Sequence, residues 1–276
     1  MIGLCIVYPF LPGDYDAAAV PLSTSVQLYG AAELALVPMG ITWLAYEVRA
    51  HLRRKRDRQS TRSAYYFAVA SLITASVVAS AVTLLVGFGI SKAMGLFGFT
   101  LWFYAVYRVL PRLKSLRRTE AARINPAPLY LIILPPAVLL VGLALAAPLT
   151  EFSRNRAIAN SGEFIRDIEA FHDKHGEYPV SLSAMWKDYY PDVIGVERFQ
   201  YSRFGDSYNV FFEQPRFLFD NIGTREWVVY NPNDEHRMFS HTAGFLLLTP
   251  EDLDRSQGWY AVHDAGVPHW KYFWFD

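Results

Sequence analysis

The chain has 276 residues, 52% of them hydrophobic, and its 26 basic residues balance 26 acids to a formal net charge of zero. A single cysteine, Cys5, excludes an internal disulfide framework and any site built from several thiolates. The neutral total hides a segregation: residues 49–62 carry seven basic side chains and one acid, residues 108–123 carry six and one, and residues 151–276 carry 20 acids against 12 basic residues.

The opening "MIGLCIVYPF" has no basic flank and is too short for a signal peptide or a membrane crossing. It reads as an interfacial anchor, or as the end of a helix whose start precedes this chain. A crossing needs about 20 mostly apolar residues. Four segments meet that length: 25–47, 64–88, 92–110 and 128–149. The first contains Glu33 and Pro38, the second repeats Ser71, Ala75 and Ala79 every four residues, and the fourth contains Pro135 and Pro136. Small residues at that spacing let a neighbouring helix approach closely. The prolines are expected to kink or locally open their helices. Glu33 is the one ionisable residue well inside a span, about two turns from its outer end, where water or Lys92 is within reach. An acid there is a candidate functional group, because ionising it in hydrocarbon is costly.

Short basic loops stay on the cytoplasmic side. The loops 49–62 and 108–123 share one side of a four-span protein, so the N-terminus and everything after Thr150 face outward. Lipid headgroups are the expected contacts of these loops; nucleic-acid binding is not expected.

Beyond the fourth span, "TEFSRNRAIANSGEFIRDIEAFHDKHG" continues as an amphipathic helix. Ile158, Phe164, Ile165, Ile168 and Phe171 fall on its apolar face, with Arg154, Arg156, Glu163 and Asp167 on its surface. The fourth span and residues 151–175 are expected to form nearly one rod, bent at most near Pro148. Gly176 ends the helix, Pro179 prevents its return, and Ser181 caps a short helix over Leu182–Asp188. In "RFQYSRFGDSYNVFFE", alternating aromatic residues flank Gly205 and Asp206, a hairpin signal. Further strands are expected at Glu226–Asn231, Gly244–Thr249 and His269–Asp276. The fold class is thus a four-span helical bundle (1–150) followed by an α+β head (151–276) with one long helix and a small antiparallel sheet.

The run of amphipathic helix, "HGEYPVSL", "YYP" and "FQYSRFGDSYNVFF" resembles the globular head of type II secretion pseudopilins and type IV pilin-like proteins. The matching residues are Gly176, Tyr178, Pro179, Leu182, Tyr201, Gly205, Asp206 and Tyr208, and the resemblance covers roughly residues 128–213. It implies a head carried on an extended membrane helix and engaged in protein–protein contacts in the envelope. The start of the fourth span, "RINPAPLYLIILPP", has neither the Gly–Phe junction nor the early glutamate of pilin-type leaders, so processing by a prepilin peptidase is not expected.

No nucleophile elbow, phosphate loop or dinucleotide fingerprint appears. His172 and His175 share a helix face but lack a metal-site motif, and "NPNDEH" reads as a solvated turn. No catalytic residue, metal or cofactor is expected. The head is rich in aromatics, Trp186, Trp227, Trp259, Trp270 and Trp274 among them. Both faces of "HWKYFWF" are apolar, so a second layer or a partner covers the outer one, and Trp270, Tyr272 and Trp274 are the candidate contact surface. The leading expectation is a non-enzymatic, multi-pass protein of the bacterial inner membrane whose extracytoplasmic head binds an envelope protein. The alternatives are a small transporter or membrane-embedded enzyme using Glu33, and a ligand sensor.

Overall fold

The computed structural model describes residues 2–54, 63–116, 125–185, 187–220, 224–240, 244–247 and 261–275. The middle of both basic loops, Leu248 and Thr249, Trp186 and Trp259 lie outside them. Contacts group Met1–Gly3 with Thr24–Ala144, and Leu4–Ser23 with Leu145–Asp276.

Four helices are long and apolar enough to cross a membrane: Ala19–Leu52, Tyr65–Gly89, Lys92–Leu113 and Ala127–His175. The chain begins with α1 (Ile2–Val7), and the first span divides into α2 (Ala19–Ala32), a 3-10 turn (Glu33–Leu36) and α3 (Val37–Arg54). The division lies just before Pro38. That residue has no N–H to offer Leu34, so the Val37 N–H bonds the Leu34 carbonyl instead and tightens the turn. The remaining helices are α4 (Ser63–Gly89), α5 (Lys92–Leu116) and α6 (Ala127–Asn160). At the α4–α5 hairpin the two backbones touch: a Cβ on Gly95 would stand 2.6 Å from the Gly87 Cα. Helix α6 continues through Pro135, Pro136 and Pro148. The interruption comes later, at Ser161, whose hydroxyl bonds the Ile158 carbonyl at 2.6 Å. Helix α7 (Gly162–His175) follows, with the Ser161 N–H bonded to the Ala157 carbonyl and the Ile165 N–H to that of Ser161, so the near-continuous helix expected over this stretch runs from Ala127 to His175.

In the second unit, α7 ends on Gly176 at φ 74°, with its N–H bonded to the His172 carbonyl. The short helix expected over Leu182–Asp188 is a 3-10 turn, Leu182–Met185. Strands β1 (Gln200–Phe204), β2 (Ser207–Gln214), β3 (Arg225–Tyr230), β6 (Ala261–Asp264) and β7 (Trp270–Phe275) form an antiparallel sheet in the order β1-β2-β3-β7-β6. Strands β4 (Arg237–Ser240) and β5 (Gly244–Leu247) pair separately. Phe204 pairs with Ser207 across the two-residue Gly205–Asp206 turn, which sets the register of the first hairpin.

The apolar face of the helix meets this sheet. Ala157, Ile158, Phe164 and Ile168 pack with Tyr208, Val210, Phe212, Val228 and Trp270. Ile165 is half-buried against that core, while Phe171 lies outside it and stacks on the His175 ring at 4.1 Å.

Leu4–Ser23 groups with the second unit. The Gly195 N–H bonds the Pro9 carbonyl at 2.8 Å, Ile194 bonds Leu11 at 3.0 Å, and the Asp16 N–H returns to the Ile194 carbonyl at 3.0 Å. Phe10, fully buried, stacks on Phe217 at 4.5 Å. Gly195 permits the approach, since a Cβ there would stand 2.7 Å from the Pro9 oxygen. Asp16 then starts α2 by accepting the Ala18 N–H at 2.8 Å.

Candidate functional site

Of the expected contact surface, Trp270 lies in the core and Tyr272 packs against it. Register pairs Trp270 with Tyr230, Tyr272 with Val228 and Trp274 with Glu226, which puts all three on the helix-facing side of the sheet. Trp270 is 4% exposed and has no surface to offer a partner, whereas Tyr272 and Trp274 keep intermediate exposure. A strand apolar on both faces has no polar marker to say which face points inward. The outer face is covered in part by the chain itself: Phe273 and Val229 are fully buried, and the His236 ring stands 6.1 Å from that of Phe273. Burial pushes the His236 imidazole below its ordinary pKa, which favours the neutral ring.

Beside Tyr272 and Trp274 lies a buried charge cluster. Arg154 of α6 donates to Glu226 Oε1 from Nε at 2.9 Å and from Nη2 at 2.7 Å. Glu226 is 1% exposed, and its Oε2 accepts the Trp274 indole N–H at 2.8 Å. Arg216 approaches the same oxygen at 3.8 Å and reaches Asp220 at 3.2 Å. The Arg154 guanidinium lies 3.7 Å from the centre of the Tyr272 ring, and that of Arg216 lies 4.4 Å from the Trp274 ring. Arg154 is therefore not the surface residue that the helical period implied. A signal for Glu226 was available: it shares strand parity with Val228 and Tyr230. The cluster ties α6 to β3 and β7, and its chemistry is that of a clamp.

The motif Gly176, Tyr178 and Pro179 forms a second clamp. The Tyr178 ring stacks on His172 at 4.2 Å, and its carbonyl accepts Arg203 Nη1 at 2.8 Å. The buried Tyr208 hydroxyl donates to Glu169 at 2.6 Å, and the Tyr201 hydroxyl donates to the Pro179 carbonyl at 2.7 Å. Burial, followed by the Glu169 carboxylate, pushes the Tyr208 phenol upward, so it remains a donor. His172 and His175 stack on different rings, and no metal-holding group of His, Cys, Asp or Glu occurs among the described residues. In "NPNDEH", the buried Asn231 Oδ1 accepts the N–H groups of Asn233 and Glu235 at 2.9 and 3.0 Å, which closes the turn.

The bundle unit holds the other candidate. A cavity of about 250 Å³ is lined by Tyr29 and Glu33 of the first span, Ala75 and Ala79 of α4, and Gly98 and Trp102 of α5. Glu33 opens the 3-10 turn. Among the described residues its carboxylate has no hydrogen bond or ion pair, so of the two alternatives read from sequence, water or Lys92, the Lys92 pair is not formed. Ser71 and Ala79 of the small-residue stripe are each 8% exposed, and Ala75 and Ala79 also line this space. Tyr29 is hydrogen-bonded to Thr83, and its hydroxyl occupies the place a Gly98 side chain would need. A second acid in this span escaped the sequence reading: Glu47, 4% exposed, accepts the Trp43 indole N–H at 3.2 Å. Comparisons with known proteins add no family to this picture: no protein-family model, curated protein or solved structure matches the chain.

Proposed function

We propose that this chain is a non-enzymatic, multi-pass protein of the bacterial inner membrane that presents a pseudopilin-like head on the extracytoplasmic side to bind another envelope protein. The observation that carries the reading is the docking of Leu4–Ser23 onto the head's 192–195 segment. The segment before the first span and the domain after the fourth share a hydrogen-bonded core. Four candidate spans between them return the chain to one side. The charge of loops 49–62 and 108–123 assigns the opposite side to the cytoplasm.

With Trp270, Tyr272 and Trp274 facing inward, the contact surface moves to the loops around the 3-10 turn. Val180 is 80% exposed and Tyr190 69%, the most exposed large apolar side chains of the head among the described residues. A photo-crosslinking amino acid at position 180 or 190 of the full chain, activated in living cells, should give an adduct with a distinct envelope protein. Adducts with lipid alone at both positions would count against a protein partner, and an adduct of twice the chain's mass would make the partner a second copy.

A further inference from the structure

We infer that the cavity beside Glu33 is a binding site for a small apolar molecule carrying a protonated amine, independently of what the head binds. Three observations converge on it. The space is about 250 Å³, larger than the roughly 150 Å³ apolar cavity that is known to hold a benzene ring. A ring- or cage-sized hydrocarbon body therefore fits, whereas a water or an ion alone leaves most of the space empty. The walls are apolar and stripped of side-chain bulk at Ala75, Ala79 and Gly98, with Trp102 offering an aromatic surface.

The third observation is Glu33 itself. It stands in an apolar span at a break in helical geometry, exposed, and with no polar partner among the described residues. An acid inside a membrane bundle ordinarily pairs with a cation or lines a pathway. Lys92 supplies no such pair, which leaves the carboxylate open to the ammonium group of a ligand. An ammonium group meets the carboxylate, the hydrocarbon body fills the space left by the small residues, and the Trp102 face attracts positive charge. The Tyr29 hydroxyl is already engaged with Thr83, which leaves the carboxylate as the polar group that orients the ligand.

The test uses the full chain in nanodiscs of zwitterionic phosphatidylcholine, with radiolabelled 1-adamantylamine as the probe in equilibrium dialysis. Saturable binding is expected, weakened at least tenfold in Glu33→Gln and in Ala75→Leu, which fills the cavity. The neutral 1-adamantanol should bind at least tenfold more weakly than the amine to the wild type. Protease resistance of the head and membrane insertion check that both variants fold. Equal uptake by wild type and both variants, meaning partition into the bilayer alone, would overturn the inference. So would adamantanol binding as tightly as the amine.

Discussion

Replacing Ile168 with Asp should unfold the head while leaving the four spans inserted. Ile168 is fully buried, one turn from the equally buried Phe164, in the core that joins α7 to β2 and β3. A carboxylate there has no cation to pair with, and a protonated acid still loses its water. The cost is about 4–5 kcal/mol, a large share of the ~5–15 kcal/mol that holds a domain together. Ile165, half-buried, tolerates Asp far better because its side chain can turn toward solvent. Limited proteolysis of the full chain in detergent separates the two: Ile168→Asp should expose the head to cleavage, and Ile165→Asp should leave it largely resistant. Equal resistance in Ile168→Asp and wild type would show that this helix face does not carry the core.

Glu226→Gln should be nearly as damaging, although it changes no shape. Glu226 is the shared counter-ion of Arg154 and Arg216, all three side chains being at most 10% exposed. Without its charge Arg154 loses its carboxylate, while Arg216 keeps Asp220 at 3.2 Å. Breaking a buried pair on one side costs about 3–5 kcal/mol, because the remaining charge stays desolvated. The double change Arg154→Met with Glu226→Leu removes both charges together and should restore much of that loss. Urea midpoints of the head, followed by pulse proteolysis of the full chain, measure this. A Glu226→Gln midpoint no lower than that of an exposed control such as Glu197→Gln would show that the cluster contributes little.

The parts of this fold that were legible in the sequence are those with local signals. Apolar runs of span length gave four helices, the 3.6-residue period placed Phe164 and Ile168 inward, and Gly205–Asp206 marked the hairpin. The rest depends on partners distant in the chain. Nothing in "MIGLCIVYPF" announces that Pro9 will bond Gly195, because the enabling feature is a missing side chain 186 positions away. Arg154 sits in a helical pattern that marks charges as surface, and only Glu226 opposite makes its burial affordable. The Glu33 cavity has a similar origin: small residues on α4 signal close approach, and whether a helix or empty space results is decided by what α5 presents. Strand parity was the one neglected local clue, since Glu226 alternates with Val228 and Tyr230 and would have turned Trp274 inward with it.

The orientation of the spans is the central claim, and protease access tests it most directly. Tags would be placed at positions 57 and 115, inside the two basic loops, and at the C-terminus, and spheroplasts exposed to external protease. The expected result is loss of the C-terminal tag with both loop tags protected until the membrane is opened. A protected C-terminal tag together with cleavage at 57 or 115 would invert the protein, placing the head and its docked N-terminal segment in the cytoplasm.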